Sequence, residues 1–204
     1  GNFVSYGTAR DDYDRRSRVG VPGLGVEIVL RDDDGNQVPR DNKTVGEICA
    51  RSNVVFTGYW DQPEETEKAI RGGYFHTGDL AVWDGVGNVN IVDRKKDVII
   101  SGGENISSSE VEDTLYEHPA VLECAVIGVP HEKWGETPIA LVVLRDDETA
   151  DEQELIDFSR ENLAHFKCPS VVRFIDELPR TATGKLQKYR LRETHWEGQK
   201  RRVN

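Results

Sequence analysis

Three short segments of the sequence combine a tight turn with a charge: YFHTGDL at 74–80, DRKKDVIISGGENI at 93–106 and LPRTATGKLQK at 178–188. Asp79 follows Thr77-Gly78, Arg94 lies in the charged run from Asp93 to Asp97, and Lys185 follows Gly184. These side chains suit recognition of polar small molecules. A carboxylate accepts from two donors at once, a guanidinium presents a planar fork of donors, and an ammonium is a compact positive charge. Taken singly, each also has an ordinary account, as an Asx-bonded turn, a solvated charge or a loop end.

Other chemistries find less support. His76, His118, His131, His165 and His195 have no helical metal spacing and the three cysteines are isolated, so no metal site is expected. There is no G-x-S-x-G elbow and no plausible Cys-His pairing for hydrolysis. A net charge of -11 repels phosphodiester backbones over most of the surface, which argues against nucleic acid and for small-molecule work. With 37% hydrophobic residues the chain can bury a core, and no apolar run approaches the roughly 20 residues of a transmembrane segment, so a soluble globular chain is expected. Cys49, Cys124 and Cys168 are far apart, each among apolar or strand-like neighbours, as reduced buried thiols are; a cytoplasmic location follows. The N-terminus has no apolar signal core and begins without Met, and reads as the start of a fragment of a longer protein.

The elements that must position these charges are legible in outline. GVEIVLR (25–31) and VGEICAR (45–51) are short β-rich runs around a DDDGN turn, and Pro63 with Glu64, Glu65 and Glu67 gives the acidic opening of a short helix. YFHTGDL is placed on a loop or strand edge. Beyond Asp97, Ser107 with Glu110 forms a capping box, and Val111 and Leu115 share a helical face that ends at His118-Pro119. VLECAVIGV and TPIALVVL read as strands, a second helix over 151–163 carries Leu155, Ile156, Phe158 and Leu163 inward, and VVRFID returns to strand. The order β-α-β-β-α-β predicts a compact α+β lobe after a small β-rich, barrel-like unit.

In this order and spacing the three segments resemble motifs of the AMP-forming acyl-adenylating enzymes, the superfamily of acyl-CoA synthetases, peptide-synthetase adenylation domains and luciferases. The likeness runs from about Tyr6 to Arg192. It implies the C-terminal part of such an enzyme: residues 1–93 the β-rich end of a large N-terminal domain, 94–97 a hinge, and 98–204 a mobile lobe. It also implies ATP with magnesium, a carboxylic acid and CoA as substrates, no tightly bound cofactor, and the missing N-terminal part of the same chain as partner.

Residue by residue, the resemblance gives Asp79 the two ribose hydroxyls of ATP and Arg94 the ribose or phosphates. Ile91 would lie against adenine, although a plain strand residue accounts for it equally well, and Tyr6-Gly7-Thr8 matches an upstream motif whose aromatic ring stacks on that base. The family usually continues with Thr-Glu, the glutamate helping to hold magnesium; this chain has Ala9-Arg10. Lys185 corresponds to the lysine that bridges the attacking carboxylate and the α-phosphate, an electrostatic role. Lys96 falls at the hinge, Gly102-Gly103 at the loop that approaches pantetheine, and Lys167 in a segment that contributes cations for CoA phosphates. A lysine complementing a helix C-terminus accounts for Lys167 equally well, and the basic strip from Lys185 to Arg202 reads as a solvated tail.

The phosphate loop and most of the acyl pocket lie upstream of this stretch in the family, so the isolated chain is expected to be inactive and the acid is not named. The motifs look most like stand-alone ligases for fatty, aromatic or other small acids. The alternatives are a peptide-synthetase-type adenylation domain, which a following carrier domain would mark, and a non-catalytic binding remnant. Ala9-Arg10 favours the remnant, while Asp79, Arg94 and Lys185 oppose it.

Overall fold

In a computed structural model of the protein, residues 20–196 are described in full and Ser5–Tyr6 as backbone only. Thr8, with Gly7, Ala9 and Arg10, lies outside the described residues, as do the Tyr6 side chain and positions 197–204. The chain forms two compact units that divide between Lys95 and Lys96.

In the first unit, β1 (Ser5–Tyr6) pairs antiparallel with β2 (Val21–Pro22). A five-stranded sheet follows, built from β3 (Glu27–Arg31), β4 (Gly46–Arg51), β5 (Ile70–Arg71), β6 (Tyr74–Trp83) and β7 (Val89–Arg94), in the order β3-β4-β6-β5 with β7 also on β6. Helix α1 (Pro63–Ala69) enters at Pro63 with Glu64 and Glu65 in its first turn, where the missing proline N–H costs nothing and negative charge meets the positive end of the helix. Ile28, Leu30, Val38, Ile48, Ala81, Trp83 and Val89 form the core, and the indole N–H of Trp83 donates to the carbonyls of Val38 and Pro39. YFHTGDL therefore lies within a ten-residue strand with three strand partners rather than on a loop or sheet edge. Its polar Thr-Gly-Asp hides this, because the alternation of a strand is broken there by register irregularities against both β4 and β7.

The second unit comprises β8 (Ile99–Ser101), β9 (Glu104–Ile106), α2 (Ser108–Tyr116), β10 (Val121–His131), β11 (Gly135–Leu144), α3 (Glu152–Asn162), β12 (Val171–Phe174) and α4 (Lys188–Glu193). β11 is the hub, antiparallel to β10 and β8 and parallel to β12. The central strands are covered on both faces, which explains their nearly continuous apolar sequence. Cys124, Val126, Ala140 and Val142 pack with Val111 and Leu115 of α2 and Leu155 and Ile156 of α3. Ala125, Ile127, Ile139 and Leu141 pack on the other side with Leu178, Leu186 and Leu191. The result is an α+β protein in which α2 is capped by Ser107 and α3 by Asp151, each accepting the N–H three residues on. Cys49, Cys124 and Cys168 are all free and buried.

Candidate functional site

Asp79 and Arg94 are register partners across β6 and β7, and Nε of Arg94 lies 3.2 Å from Oδ1 of Asp79. Strand pairing thus brings together two residues fifteen positions apart. The Asp79 side chain keeps 29% of its exposure and that of Arg94 58%, so the pair faces solvent and is open to a ligand.

The turn before Asp79 is fixed from several sides. Gly78 has φ +75, a backbone setting that glycine adopts without steric cost. Its N–H donates to Oε1 of buried Glu47 at 3.1 Å, and its carbonyl accepts from the N–H of Lys95 at 2.8 Å. Thr77 Oγ1 donates to the carbonyl of Ile48 and accepts from the N–H of Asp79. Lys95 extends its ammonium to Asp33 at 2.7 Å and to Glu47 at 3.5 Å. Burial alone would lower the Lys95 pKa, but the two carboxylates outweigh it and hold it above its ordinary value.

Glu47 is the residue that sequence reasoning missed. It shares its strand with Ile48, Cys49 and Ala50, all buried, and a carboxylate embedded in such a run is itself a signal, because an isolated charge is not buried without partners. Its second oxygen, Oε2, lies 3.2 Å from Nδ1 of His76, and that nitrogen lies 3.4 Å from Sγ of Cys49. Burial, with Glu47 adding to it, pushes the Cys49 thiol up to about 11.

Other candidates have definite places. Ile91 sits on β7 opposite Ala81 and is 43% exposed, unlike the core positions of that strand. Tyr6 pairs by its backbone with Val21. The charged run is not uniformly solvated: Asp93 and Asp97 are buried, with Asp97 bound to Arg192, while Lys96 is exposed. Gly102 and Gly103 form the two-residue turn of the β8–β9 hairpin with φ +61 and +92, a turn that needs positive φ at both positions. A Cβ on Gly102 would stand 2.9 Å from the Trp134 ring. Lys167 closes a 3-10 turn, and its ammonium meets both oxygens of Glu110 at 2.6 and 2.7 Å.

Lys185 is exposed on a turn in which Gly184 has φ +83. Thr181 and Lys185 exchange backbone and side-chain hydrogen bonds at 2.8 and 3.0 Å, and Arg180 ties the Gly184 carbonyl to Glu123. Leu178 and Leu186 anchor both ends of this turn in the core, so the backbone is fixed while Lys185 itself is exposed. Lys188 is held instead by Glu112 at 2.7 Å and Ser108 at 2.8 Å.

The matching family models are "AMP-binding enzyme" over residues 2–60 and "AMP-binding enzyme C-terminal domain" over 110–185. The chain belongs to this family, the AMP-forming acyl-adenylating enzymes. It is 45% identical over 190 residues to a probable acyl-activating enzyme 12, peroxisomal, of Arabidopsis thaliana, covering 87% of this chain and 33% of that protein. It is 47% identical over 177 residues to a 4-hydroxybutyrate–CoA ligase 2 of Metallosphaera sedula, covering 87% of this chain and 32% of that one. Its fold matches ATP-bound MatB from Rhodopseudomonas palustris with a TM-score of 0.82 and 41% identity, over 87% of this chain and 35% of that chain. The chain thus spans about a third of the length of the curated relatives it matches. Among the described residues no helix is long and apolar enough to cross a membrane.

Proposed function

We propose that this chain is the C-terminal portion of an ATP-dependent, AMP-forming acid–CoA ligase. The observation that carries the reading is the Asp79–Arg94 pair, set by strand register and left open to solvent although both neighbouring residues of the chain are tightly fixed. Asp79 accepts from the two ribose hydroxyls, and Arg94, beside it, donates to the same nucleotide. Lys185 supplies positive charge as an oxygen of the carboxylic acid attacks the α-phosphorus and the bond to pyrophosphate breaks. The sulfur of CoA then attacks the acyl carbonyl and AMP leaves with the electron pair.

The two half-reactions need different groups in one place, and rotation about Lys96 supplies them in turn. Support comes from either side of that residue: Arg94 ends β7 and the Lys95 N–H is bonded to Gly78, while Asp97 is bound to Arg192. Exposed Lys96 lies between. Val98 and Ile99 anchor the rotating unit, and the Gly102-Gly103 turn and Lys167 face pantetheine and CoA phosphate after rotation, Lys167 exchanging Glu110 for the ligand. Magnesium accompanies ATP as part of that substrate. The buried free thiols fit a reducing compartment such as the cytoplasm.

The test is carboxylate-dependent pyrophosphate exchange by the full-length protein across a panel of acids, followed by CoA thioester formation with the acid that responds. Exchange with at least one acid is expected, and it is expected to be negligible for residues 1–204 alone. A full-length protein that exchanges with none and does not bind ATP would replace this reading with the binding-remnant one.

A further inference from the structure

We propose that Glu47, Cys49 and His76 form a binding site for a thiophilic divalent cation, with zinc the best fit. Strand pairing makes the cluster: Cys49 and His76 are register partners across β4 and β6, and Glu47 stands two residues before Cys49 on the same strand. One donor atom from each residue lies within 4.8 Å of the other two, and Nδ1 of His76 stands 3.2 Å from Oε2 of Glu47 and 3.4 Å from Sγ of Cys49. Tetrahedral coordination with zinc–nitrogen and zinc–oxygen bonds of about 2.0 Å and a zinc–sulfur bond of about 2.3 Å gives ligand–ligand edges of roughly 3.3 to 3.6 Å. The observed separations from Nδ1 are close to those edges without a backbone shift.

The hydrogen bonding here is also overcrowded. Nδ1 of His76 faces Oε2 of Glu47, Sγ of Cys49 and, at 3.1 Å, Nη2 of Arg71, yet a ring nitrogen makes a single hydrogen bond as donor or as acceptor. A cation bound to all three ligands satisfies them together. Glu47 is already oriented as a ligand should be, because its other oxygen holds the Gly78 N–H.

Access is through an open cavity of about 380 Å³ that Glu47 and His76 line together with Asp32, Asp33 and Asp34. The aspartates draw a cation in, whereas Arg31, Arg71 and Lys95 on the same walls oppose it. Lys95 and Arg71 lie 3.5 and 4.0 Å from Oε2 itself, so a cation must displace both: Lys95 keeps its shorter contact to Asp33 at 2.7 Å, and the Arg71 side chain, 57% exposed, swings into solvent. The remaining coordination position takes water from the cavity, and on binding the thiol proton passes to solvent. Thiolate and imidazole select zinc over magnesium or calcium, so this site is chemically distinct from any that serves ATP. It does not depend on the proposed reaction.

The test uses the purified, reduced 204-residue chain with zinc alone, titrated against a colorimetric chelator, and then cobalt as an optical probe. One equivalent of zinc is expected, with a thiolate-to-cobalt absorption band. Cys49→Ala and His76→Ala should each weaken binding about 100-fold or more, while Cys124→Ala leaves it unchanged. X-ray absorption of the zinc-loaded wild type gives a readout that no variant's folding affects: one sulfur and three nitrogen or oxygen neighbours are expected. A shell with no sulfur, no binding at micromolar zinc, or undiminished binding by a folded Cys49→Ala would each overturn the proposal.

Discussion

Nη1 of Arg192 donates to Oδ1 of Asp97 at 2.7 Å, and the two side chains retain only 11% and 10% of their exposure. The last helix thereby seizes the first residues of the second unit, one position after Lys96. Charges this buried persist because each neutralises the other, so removing one partner costs far more than the pair itself contributes. Arg192→Met is expected to destabilise the isolated chain by about 3–5 kcal/mol, with Asp97→Leu in the same chain recovering most of it, as read from urea unfolding. A loss under about 1 kcal/mol, the value of an exposed pair, would show that the contact does not hold in solution.

Replacing Lys96 should separate binding from turnover. Lys96→Pro fixes φ at the one position between two anchored flanks, so it should trap a single arrangement of the units. In the full-length protein at least one half-reaction is expected to fall sharply while ATP still binds. Normal rates in both halves would remove the hinge.

The hairpin turn of β8 and β9 tests whether its glycines serve structure. Gly102→Ala must hold an alanine at φ +61 and push a Cβ to 2.9 Å from the Trp134 ring, so a loss of about 1–3 kcal/mol is expected. Trp134→Leu in the same chain should restore part of that stability but not the loss from positive φ. No change in the melting temperature of the Gly102→Ala variant would show that the turn has another conformation.

Alkali should destabilise the first unit in a specific way. Burial lifts the Cys49 thiol from its ordinary 9.0 to about 11, so between those values the folded state holds a proton that the unfolded chain releases. The folded state binds more protons there, and its stability is therefore full below about pH 9 and falls as pH rises towards 11. Lys95, also raised, acts in the same direction. Melting curves from pH 8 to 11 should show a shallower loss for Cys49→Ala than for the wild type, and identical slopes would assign the loss to other groups.

Much of this architecture was legible because local rules and packing agree. Ser107 with Glu110 announces one helix, the spacing of Leu155, Ile156 and Leu163 the other, and the apolar runs of β10 and β11 announce strands. The second unit follows the β-α-β-β-α-β order read from the sequence, with its first strand elaborated into the β8–β9 hairpin. YFHTGDL misled because its turn chemistry is embedded in a central strand, where register shifts break the alternation. The Glu47–Cys49–His76 cluster was invisible for a different reason. Its members are brought together by the pairing of β4 with β6, 27 positions apart for Cys49 and His76, whereas a search by helical or short-range spacing sees only neighbours along the chain.

On the proposed reaction, the Lys185 ammonium acts in forming the acyl-adenylate and is not needed for the thioester step. The most direct measurement is Lys185→Ala in the full-length protein, assayed separately for pyrophosphate exchange and for thioester formation from supplied acyl-adenylate. Exchange is expected to fall about 10²-fold or more, the scale of losing one well-placed charge stabiliser, with the second step little changed. Equal losses in both steps would contradict the account.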